Sequence, residues 1–376
     1  MKNEQLNIFF YNWWRSIDRI VFATVIFLIV IGCLISFIAT PSIAIKYGLE
    51  PYYFVKKHLV FAPLAFLSIF FVSLLSEIGI KRVSLFIFLI SIFFIFYSFL
   101  YGIETKGSTR WVDFFGYNFQ PSEFLKISFI IICAWIFSLE SRLQIFNNKI
   151  FSFILYLFVS ILILSQPDFS MFVIVSSVYF GQLFISGLKW EWVAAFLFFF
   201  SSVFFSAYFF LSNVKARIDN YFFSSGDGYQ ITKSLQAIKE GGLFGKGPGM
   251  GTAKDNLPDA HTDFIFSAVA EEFGILSCLF IIFCFAYLIF NIYKRIKSEK
   301  YLFIVLCVSG LIIQIGSQIF VNIGSTIGLI PTTGTTLPFI SYGGSSMVSM
   351  AINIGVILAL TRVSYKDSIM SDEKEF

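Results

Sequence analysis

Asp263 is the residue of this 376-residue sequence best placed for acid–base chemistry. It ends a polar stretch that starts at Pro258, and an apolar run begins directly after it at Phe264. A carboxylate at such a boundary would be partly removed from water, and this loss of hydration makes it a better general base. Thr262 or Asp263 could also cap the helix that the apolar run forms. The sequence leaves both roles open.

A second charged pair, Glu123 and Lys126, stands at the beginning of another apolar run, directly after Gln120-Pro121-Ser122. Residues three apart lie on one face of a helix and are close enough to pair. Ionisable groups are costly to bury in apolar runs, so each one marks a candidate functional site. A purely structural ion pair is the alternative.

Three more carboxylates occupy similar positions. Asp168 follows a second Gln-Pro pair, and Glu271 and Glu272 lie further along the run that follows Asp263. Taken singly, Asp168 is most simply a helix cap, and the two glutamates could serve a neighbouring helix. Because most of these groups fall near the same end of their runs, we expect a cavity open to that side to collect them.

The glycine-rich segment 241–251 does not match a nucleotide-binding loop. A Walker A motif would need glycine at position 240, which is Glu240, and serine or threonine at position 247, which is Gly247. The dinucleotide-binding pattern also fails, and no βαβ unit surrounds the segment. We expect a flexible turn beside the site, with backbone contact to a phosphate as the weaker alternative.

The composition places these residues in a membrane protein. Hydrophobic residues make up 57% of the chain and charged residues 13%, whereas soluble domains have roughly 45–50% and about 25%. This composition excludes a soluble cytosolic enzyme, a disordered protein and a disulfide-stapled secreted scaffold. A net charge of +4 is too small to indicate nucleic-acid binding. Five dispersed cysteines and two histidines, His58 and His261, predict neither disulfides nor a His-based metal centre.

Ten apolar runs are long enough, at roughly 20 residues, to cross a bilayer. They lie at about 20–40, 58–76, 83–101, 121–139, 150–166, 169–187, 190–211, 263–291, 301–323 and 344–362. We therefore predict an all-α polytopic membrane protein with about ten transmembrane helices. Residues 1–19 would form a cytoplasmic leader, 20–362 the membrane domain and 363–376 a cytoplasmic tail.

The distribution of basic residues predicts the orientation. With both termini inside, the inner segments carry 15 of the 27 Lys and Arg residues, and the short outer segments carry six. Positive charge in short loops favours the cytoplasmic side. We therefore expect both termini in the cytoplasm and the carboxylate cluster on the outer face.

The long outer loop, residues 212–262, contains one regular pattern. Within 229–240, Ile231, Leu235 and Ile238 share a helical face. This pattern predicts an amphipathic helix in the extracytoplasmic loop, either lying in the membrane interface or packed on the loop's own residues.

The last outer segment, residues 328–346, is rich in small residues and contains Pro331 and Pro338. The prolines predict an irregular, re-entrant chain, which is tolerated at membrane depth only where it is buried or lines a cavity. Close helix packing by the small residues is the alternative reason for this composition.

Six motifs, in order along nearly the whole chain, resemble those of the SEDS family (shape, elongation, division and sporulation proteins). They are Arg110-Trp111; Gln120-Pro121-Ser122-Glu123 with Lys126; Gln166-Pro167-Asp168; Gly241-Gly242-Leu243-Phe244-Gly245; His261-Thr262-Asp263-Phe264-Ile265-Phe266 with Glu271-Glu272-Phe273-Gly274; and Leu337-Pro338-Phe339-Ile340-Ser341-Tyr342-Gly343-Gly344-Ser345-Ser346. Each motif alone is weak, but six in order are specific. Segments 257–263 and 331–338 resemble the division member of the family more closely than the elongation member.

The resemblance implies a SEDS-type fold and a peptidoglycan glycosyltransferase. Such an enzyme would polymerise lipid II into glycan strands at the division septum, on the outer face of the cytoplasmic membrane, and release undecaprenyl diphosphate. Its partners would be lipid II, the nascent strand, a class B penicillin-binding transpeptidase and other septal division proteins. No cofactor is evident, although a divalent cation, Mg²⁺ or Mn²⁺, could be bound through the substrate diphosphate. A lipid II flippase and a non-catalytic septal scaffold are the alternatives.

The resemblance also assigns site residues. The family's catalytic carboxylate maps onto Asp263, which would accept the proton of the attacking hydroxyl. Lys126 or Arg110 would offset the charge of the departing diphosphate. The predicted substrate and cavity residues are Arg110, Trp111, Glu123, Lys126, Asp168, His261, Ser341, Gly343 and Gly344.

Overall fold

The computed structural model describes residues 2–105, 108–114, 116–139, 148–187 and 228–362, with a few isolated positions between 198 and 219. The predicted seventh span, 190–211, the first part of the long outer loop and the predicted tail, 363–376, lie outside the described residues.

Helices account for most of the described chain, and nine of the ten predicted spans coincide with one. The helices are α1 (Lys2–Ser16), α2 (Arg19–Ala39), α3 (Pro41–Lys46), α4 (Tyr53–Ser73), α5 (Glu77–Tyr101), α6 (Pro121–Ser138), α7 (Asn148–Ser165), α8 (Phe169–Ile185), α9 (Gly228–Gly241), α10 (Ile265–Ile296), α11 (Leu302–Thr326) and α12 (Gly344–Leu360). Seven of those described, α2, α4, α5, α6, α7, α10 and α11, are long and apolar enough to cross a membrane. The apolar helices α8 and α12 are 17 residues each.

The bundle is organised around α6. In its most apolar 18-residue stretch, 78% of the residues are buried inside the protein. Helix α5 packs on α6, α8 on α11, and α4 on α12. Small residues allow the last of these contacts, since a Cβ on Gly355 would lie 2.7 Å from Cβ of Val72. The burial of α6 matters for function because this helix carries Glu123 and Lys126.

A small antiparallel sheet joins α5 to α6, in the strand order β1 (Ile103–Thr105), β2 (Ser108–Phe114), β3 (Tyr117–Phe119). The turn between β2 and β3 uses Gly116 at φ +80°, and its amide donates to Oδ1 of Asp113. The sequence analysis did not anticipate these strands, which lie between two predicted spans. They bring Arg110 and Trp111 back over the bundle.

Helix α10 is interrupted at Gly274, whose φ of 82° and ψ of 174° are not helical. The glycine-rich segment fits into this interruption. The carbonyl of Gly242 accepts from the amide of Ile275 at 2.9 Å, and that of Leu243 from the amide of Leu276 at 3.3 Å. These bonds satisfy amides that a regular helix would have paired internally.

The amphipathic helix predicted within 229–240 is present as α9, and its main contact lies outside its own loop. It packs on α10 through Ser234, Ala237 and Gly241, while Leu235 of the predicted apolar face is 43% exposed. A Cβ on Gly241 would lie 1.9 Å from a backbone oxygen of α10. Small residues rather than larger apolar ones thus make the contact with α10, because they permit close backbone approach.

The segment between α11 and α12 is irregular, as Pro331 and Pro338 predict. Its residues Leu337, Phe339 and Ile340 are at most 2% exposed. The chain is therefore covered by protein, which is the condition for non-helical backbone at membrane depth.

Candidate active site

A cavity of about 580 Å³ lies at the end of the bundle where α4, α6, α8 and α12 begin. Its walls come from α4, β2, α6, α8, the turn before α10, and the segment between α11 and α12. Nine of the ten predicted site residues line it: Arg110, Trp111, Glu123, Lys126, Asp168, His261, Asp263, Gly343 and Gly344.

Ser341 is the exception, and its assignment as a cavity residue was wrong. It is 3% exposed and lies behind the wall. Its hydroxyl donates to the carbonyl of Thr262 at 2.6 Å and accepts from the amide of Leu337 at 2.8 Å. Ser341 therefore joins two wall segments to each other.

Glu123 and Lys126 form the predicted ion pair, with 2.6 Å between Oε2 and Nζ. Ser349 donates to the same carboxylate oxygen at 3.0 Å, and Lys126 donates to Oε1 of Gln318 at 2.8 Å. Lys126 is 1% exposed. Its ammonium is thus held in a fixed position at the cavity wall.

Asp168 has both of the roles that the sequence allowed. Its Oδ1 accepts from the amide of Met171 at 3.1 Å and caps α8. Its Oδ2 lies 2.9 Å from a guanidinium nitrogen of Arg110 and accepts from Gln120 at 3.2 Å. Asp168, and to a smaller extent Asp263, raise the pKa of the Arg110 guanidinium despite its burial. Arg110 therefore lies in the field of both carboxylates.

Asp263 lies half-buried in a turn just before α10. Phe264 occupies the N-cap position of α10 and makes no side-chain cap bond. Thr262 and Asp263 are therefore not the N-cap, and the capping alternative was wrong. A Cβ on Gly334 would lie 3.7 Å from Oδ2 of Asp263. The carboxylate is thus beside the segment between α11 and α12, in the cavity that also contains Arg110 and Lys126.

His261 belongs to an aromatic cluster at the cavity wall. Its ring stacks on Phe54, with 4.0 Å between centroids, and has Tyr47 and Tyr342 as further ring neighbours. These contacts fix the turn that leads to Asp263.

Glu271 and Glu272 do not line the cavity, contrary to the expectation that one cavity would collect the carboxylates. Glu271 accepts from the backbone amides of Thr252, Ala253 and Lys254 at 2.7, 2.8 and 2.8 Å. Glu272 accepts from the amide of Gly249 and pairs with the Lys254 ammonium. Within the glycine-rich segment, the amide of Gly249 is thus bonded to a carboxylate and those of Lys246 and Gly247 to the backbone carbonyls of Glu271 and Glu272, which argues against their use for phosphate.

Two buried amide side chains of α11 support the site and were not predicted from the sequence. Gln318 contacts Lys126, and Asn322 donates to the carbonyl of Asp263. A signal was present, since Gln314, Gln318 and Asn322 recur every four residues in an apolar run and so form a polar stripe. Lys57, Gln230 and Asp259 also line the cavity and were not identified.

Comparison with known proteins gives consistent results. The sequence model of the family FTSW_RODA_SPOVE, described as cell cycle protein, matches residues 18–366. The chain is 34% identical to a probable peptidoglycan glycosyltransferase FtsW of Caulobacter vibrioides over 93% of this chain and 90% of the relative. It is 31% identical to a protein of the same name from Neisseria gonorrhoeae, over 94% and 86%.

A solved structure supports the fold. It comes from work on the structural coordination of polymerization and crosslinking by a peptidoglycan synthase complex. One of its chains matches with a TM-score of 0.75 at 21% identity, over 93% of this chain and 98% of that chain. The polytopic helical fold predicted from the sequence is confirmed.

Proposed function

The chain belongs to the FtsW/RodA/SpoVE family of cell cycle proteins, and from this premise we propose that it is a peptidoglycan glycosyltransferase that polymerises lipid II at the division septum. The names of its relatives support the activity. The observation that carries the proposal is the shared cavity, in which the carboxylate of Asp263 lies with two cations, Arg110 and Lys126, that are fixed by Asp168 and Glu123.

The reaction needs a base on one side of the donor's anomeric carbon and positively charged groups beside the diphosphate on the other side. The acceptor sugar's 4-hydroxyl oxygen bonds to the donor's anomeric carbon, and its proton passes to Asp263. The bond from that carbon to the diphosphate oxygen breaks, and its electron pair leaves on the diphosphate. A single displacement inverts the anomeric centre. Undecaprenyl diphosphate is the leaving group.

Arg110 and Lys126 would stabilise the departing diphosphate. An ammonium has three donors, of which Glu123 and Gln318 take two from Lys126, and no other described residue takes the third. Arg110 is fixed by Asp168. Because both cations are held in place before substrate arrives, they need little reorganisation when charge develops.

A resident metal is not part of this proposal. The described residues contain no group of three His, Cys, Asp or Glu side chains that could hold an ion. Glu123 and Asp168 are already paired with Lys126 and Arg110. A divalent cation would therefore have to be bound mainly through the substrate diphosphate.

The protein is an integral membrane protein with many apolar helices. For its orientation we propose cytoplasmic termini and a cavity on the outer face, which the excess of basic residues on the predicted inner segments supports. We also propose a class B penicillin-binding transpeptidase as partner. The similar solved chain comes from a peptidoglycan synthase complex that is described as coordinating polymerization and crosslinking, which supports this partner.

The test is polymerisation of lipid II by the purified protein with its cognate transpeptidase. Asp263→Ala should abolish polymer, and Asp263→Asn should be nearly as damaging because it keeps the shape and loses the proton acceptor. Asp255→Asn is the matched control, since Asp255 is a carboxylate of the same outer loop that does not line the cavity. It should retain activity.

Two results would contradict the proposal. Undiminished polymer from Asp263→Ala would remove Asp263 from the chemistry. Absence of polymer from every variant, including the unmodified protein, would favour the alternatives: translocation of lipid II would identify a flippase, and no translocation a scaffold.

A further inference from the structure

We propose that Asn322 is a positioning residue that fixes the backbone of Asp263 against the opposite cavity wall. This inference rests on the proposed function, in which Asp263 is the base. It concerns the geometry of the base and assigns Asn322 no contact with substrate.

The backbone that leads to Asp263 is held at three successive carbonyls. The carbonyl of His261 accepts from the amide of Tyr342 at 3.0 Å, and that of Thr262 from the Ser341 hydroxyl at 2.6 Å. The carbonyl of Asp263 accepts from Nδ2 of Asn322 at 2.9 Å. The three peptide planes that contain these carbonyls cannot rotate without breaking one of these bonds.

Asn322 also holds the facing wall. The same Nδ2 donates to the carbonyl of Thr335 at 2.6 Å. Thr335 follows Gly334, the residue beside Oδ2 of Asp263. One amide group therefore fixes both the backbone of Asp263 and the segment that its carboxylate faces.

Gln318 does the same for the cation one helical turn earlier on α11. Its Oε1 accepts from Lys126, and its Nε2 donates to the carbonyl of Thr336 at 3.1 Å. Residues four apart share a helix face. Helix α11 thus fixes the positions of Asp263 and Lys126 relative to each other. Its two amides bind these residues and also the adjacent wall residues Thr335 and Thr336.

The chemistry of this role requires an amide NH₂ group, which has two protons for two carbonyls. Asn322 is fully buried, so water cannot replace it. Its Oδ1 has no hydrogen-bond partner in the described part of the chain. The side chain is therefore used for its donors.

Gln182 on α8 is a matched control. It is fully buried, its Nε2 donates to the carbonyls of Ile130 and Leu306 at 3.0 and 3.1 Å, and its Oε1 has no partner among the described residues. It does not line the cavity. Loss of its amide removes two hydrogen bonds to backbone carbonyls, as loss of the Asn322 amide does, but away from the site.

The experiment compares Asn322→Leu with Gln182→Met, each of which replaces the amide by an apolar side chain of similar size. Thermal unfolding in detergent should show similar losses for both. The kcat for lipid II polymerisation should fall about tenfold to a hundredfold for Asn322→Leu alone, since displacement of a reacting group by about 1 Å can cost 10²-fold. The KM for lipid II should stay within about twofold, because ground-state binding is unchanged.

An Asn322→Leu kcat no lower than that of Gln182→Met would overturn the inference. The proposed function would still stand if Asp263→Ala were inactive in the same assay, and it would fall with the inference if Asp263→Ala were active. If Asn322→Leu does not yield folded protein, Asn322→Ser replaces it. Serine has one donor, so its kcat should lie below that of Gln182→Met, and equality would again overturn the inference.

Discussion

Two groups of buried carboxylates lie toward the end of the bundle where α6, α8 and α10 begin, and they differ in what they bind. The cavity pairs are Glu123 with Lys126 and Asp168 with Arg110. The loop clamp consists of Glu271 and Glu272 with Lys246 and Lys254. Both groups combine carboxylates with basic side chains, and in the sequence the carboxylates of both lie in or beside apolar runs.

In the loop clamp, the protein itself occupies the carboxylates. Glu271 alone accepts three backbone amides, and both glutamates and Lys254 are at most 1% exposed. The cavity pairs accept fewer backbone donors and border open space. Buried charge therefore does not by itself identify an active site, and the two groups are separated by the open space that only the cavity pairs border.

The largest effect should come from breaking the loop clamp. Glu272→Leu leaves the Lys254 ammonium buried without its counter-ion, and removal of one partner of a buried ion pair costs about 3–5 kcal/mol. The melting temperature of the purified protein should fall sharply. Activity should fall only in proportion to the folded fraction.

The double variant Glu272→Leu with Lys254→Met is the control for this prediction. It removes both charges, and most of the lost stability should return. If the two substitutions add instead, the ion pair is not what holds the loop, and the distinction from the cavity pairs weakens.

Breaking a cavity pair should lower activity strongly and stability less. Lys126→Met removes a cation that faces the diphosphate, and we expect kcat to fall by about 10²–10³-fold, the range for one preorganised electrostatic group. Glu123 would be left at a cavity wall that water can reach, so the melting temperature should fall less than for Glu272→Leu. Lys56→Met, which removes an exposed lysine from the first turn of α4, is the control and should leave kcat unchanged.

Sequence reasoning found the spans and the Glu123–Lys126 pair because both depend on short-range rules, whereas the pairing of Arg110 with Asp168 joins distant segments and was not predicted. A run such as 83–101 needs only its own length and apolarity to be recognised, and Glu123–Lys126 follows from a spacing of three on a helix. It could not exclude Glu271 from the cavity, since the donors that occupy Glu271 come from a loop whose path depends on the break at Gly274. The bridging role of Asn322 likewise depends on contacts between distant segments.

Arg110→Lys is expected to have an intermediate effect. A lysine carries its charge at one point on a flexible stem, whereas the guanidinium can bind Asp168 and still present donors to the cavity. Partial loss of one charge-assisted hydrogen bond should reduce kcat about tenfold. A kcat equal to that of the unmodified protein would show that only the charge of Arg110 is used, and a loss as large as that of Lys126→Met would make Arg110 the main diphosphate contact.

The smallest effect should come from adding a methyl group to the cavity wall at Gly334. Gly334 has φ +74°, and alanine in that conformation costs about 1 kcal/mol. Its new Cβ would lie 3.7 Å from Oδ2 of Asp263, an ordinary contact, whereas a Cβ on Gly251 in the loop clamp would lie 2.8 Å from Cδ of Glu271. The cavity wall has room for the methyl group and the loop clamp does not.

Gly48→Ala isolates the backbone cost of this change. Gly48 has φ +70°, and nothing lies within 4 Å of a Cβ placed there. Both variants should therefore lose about the same stability in thermal unfolding, about 1 kcal/mol, and Gly334→Ala should in addition lower kcat by about twofold to fivefold through its contact with Asp263. Equal kcat values for the two variants would show that the carboxylate moves away from the wall at no cost, and the fixed position of Asp263 would then depend on its backbone alone.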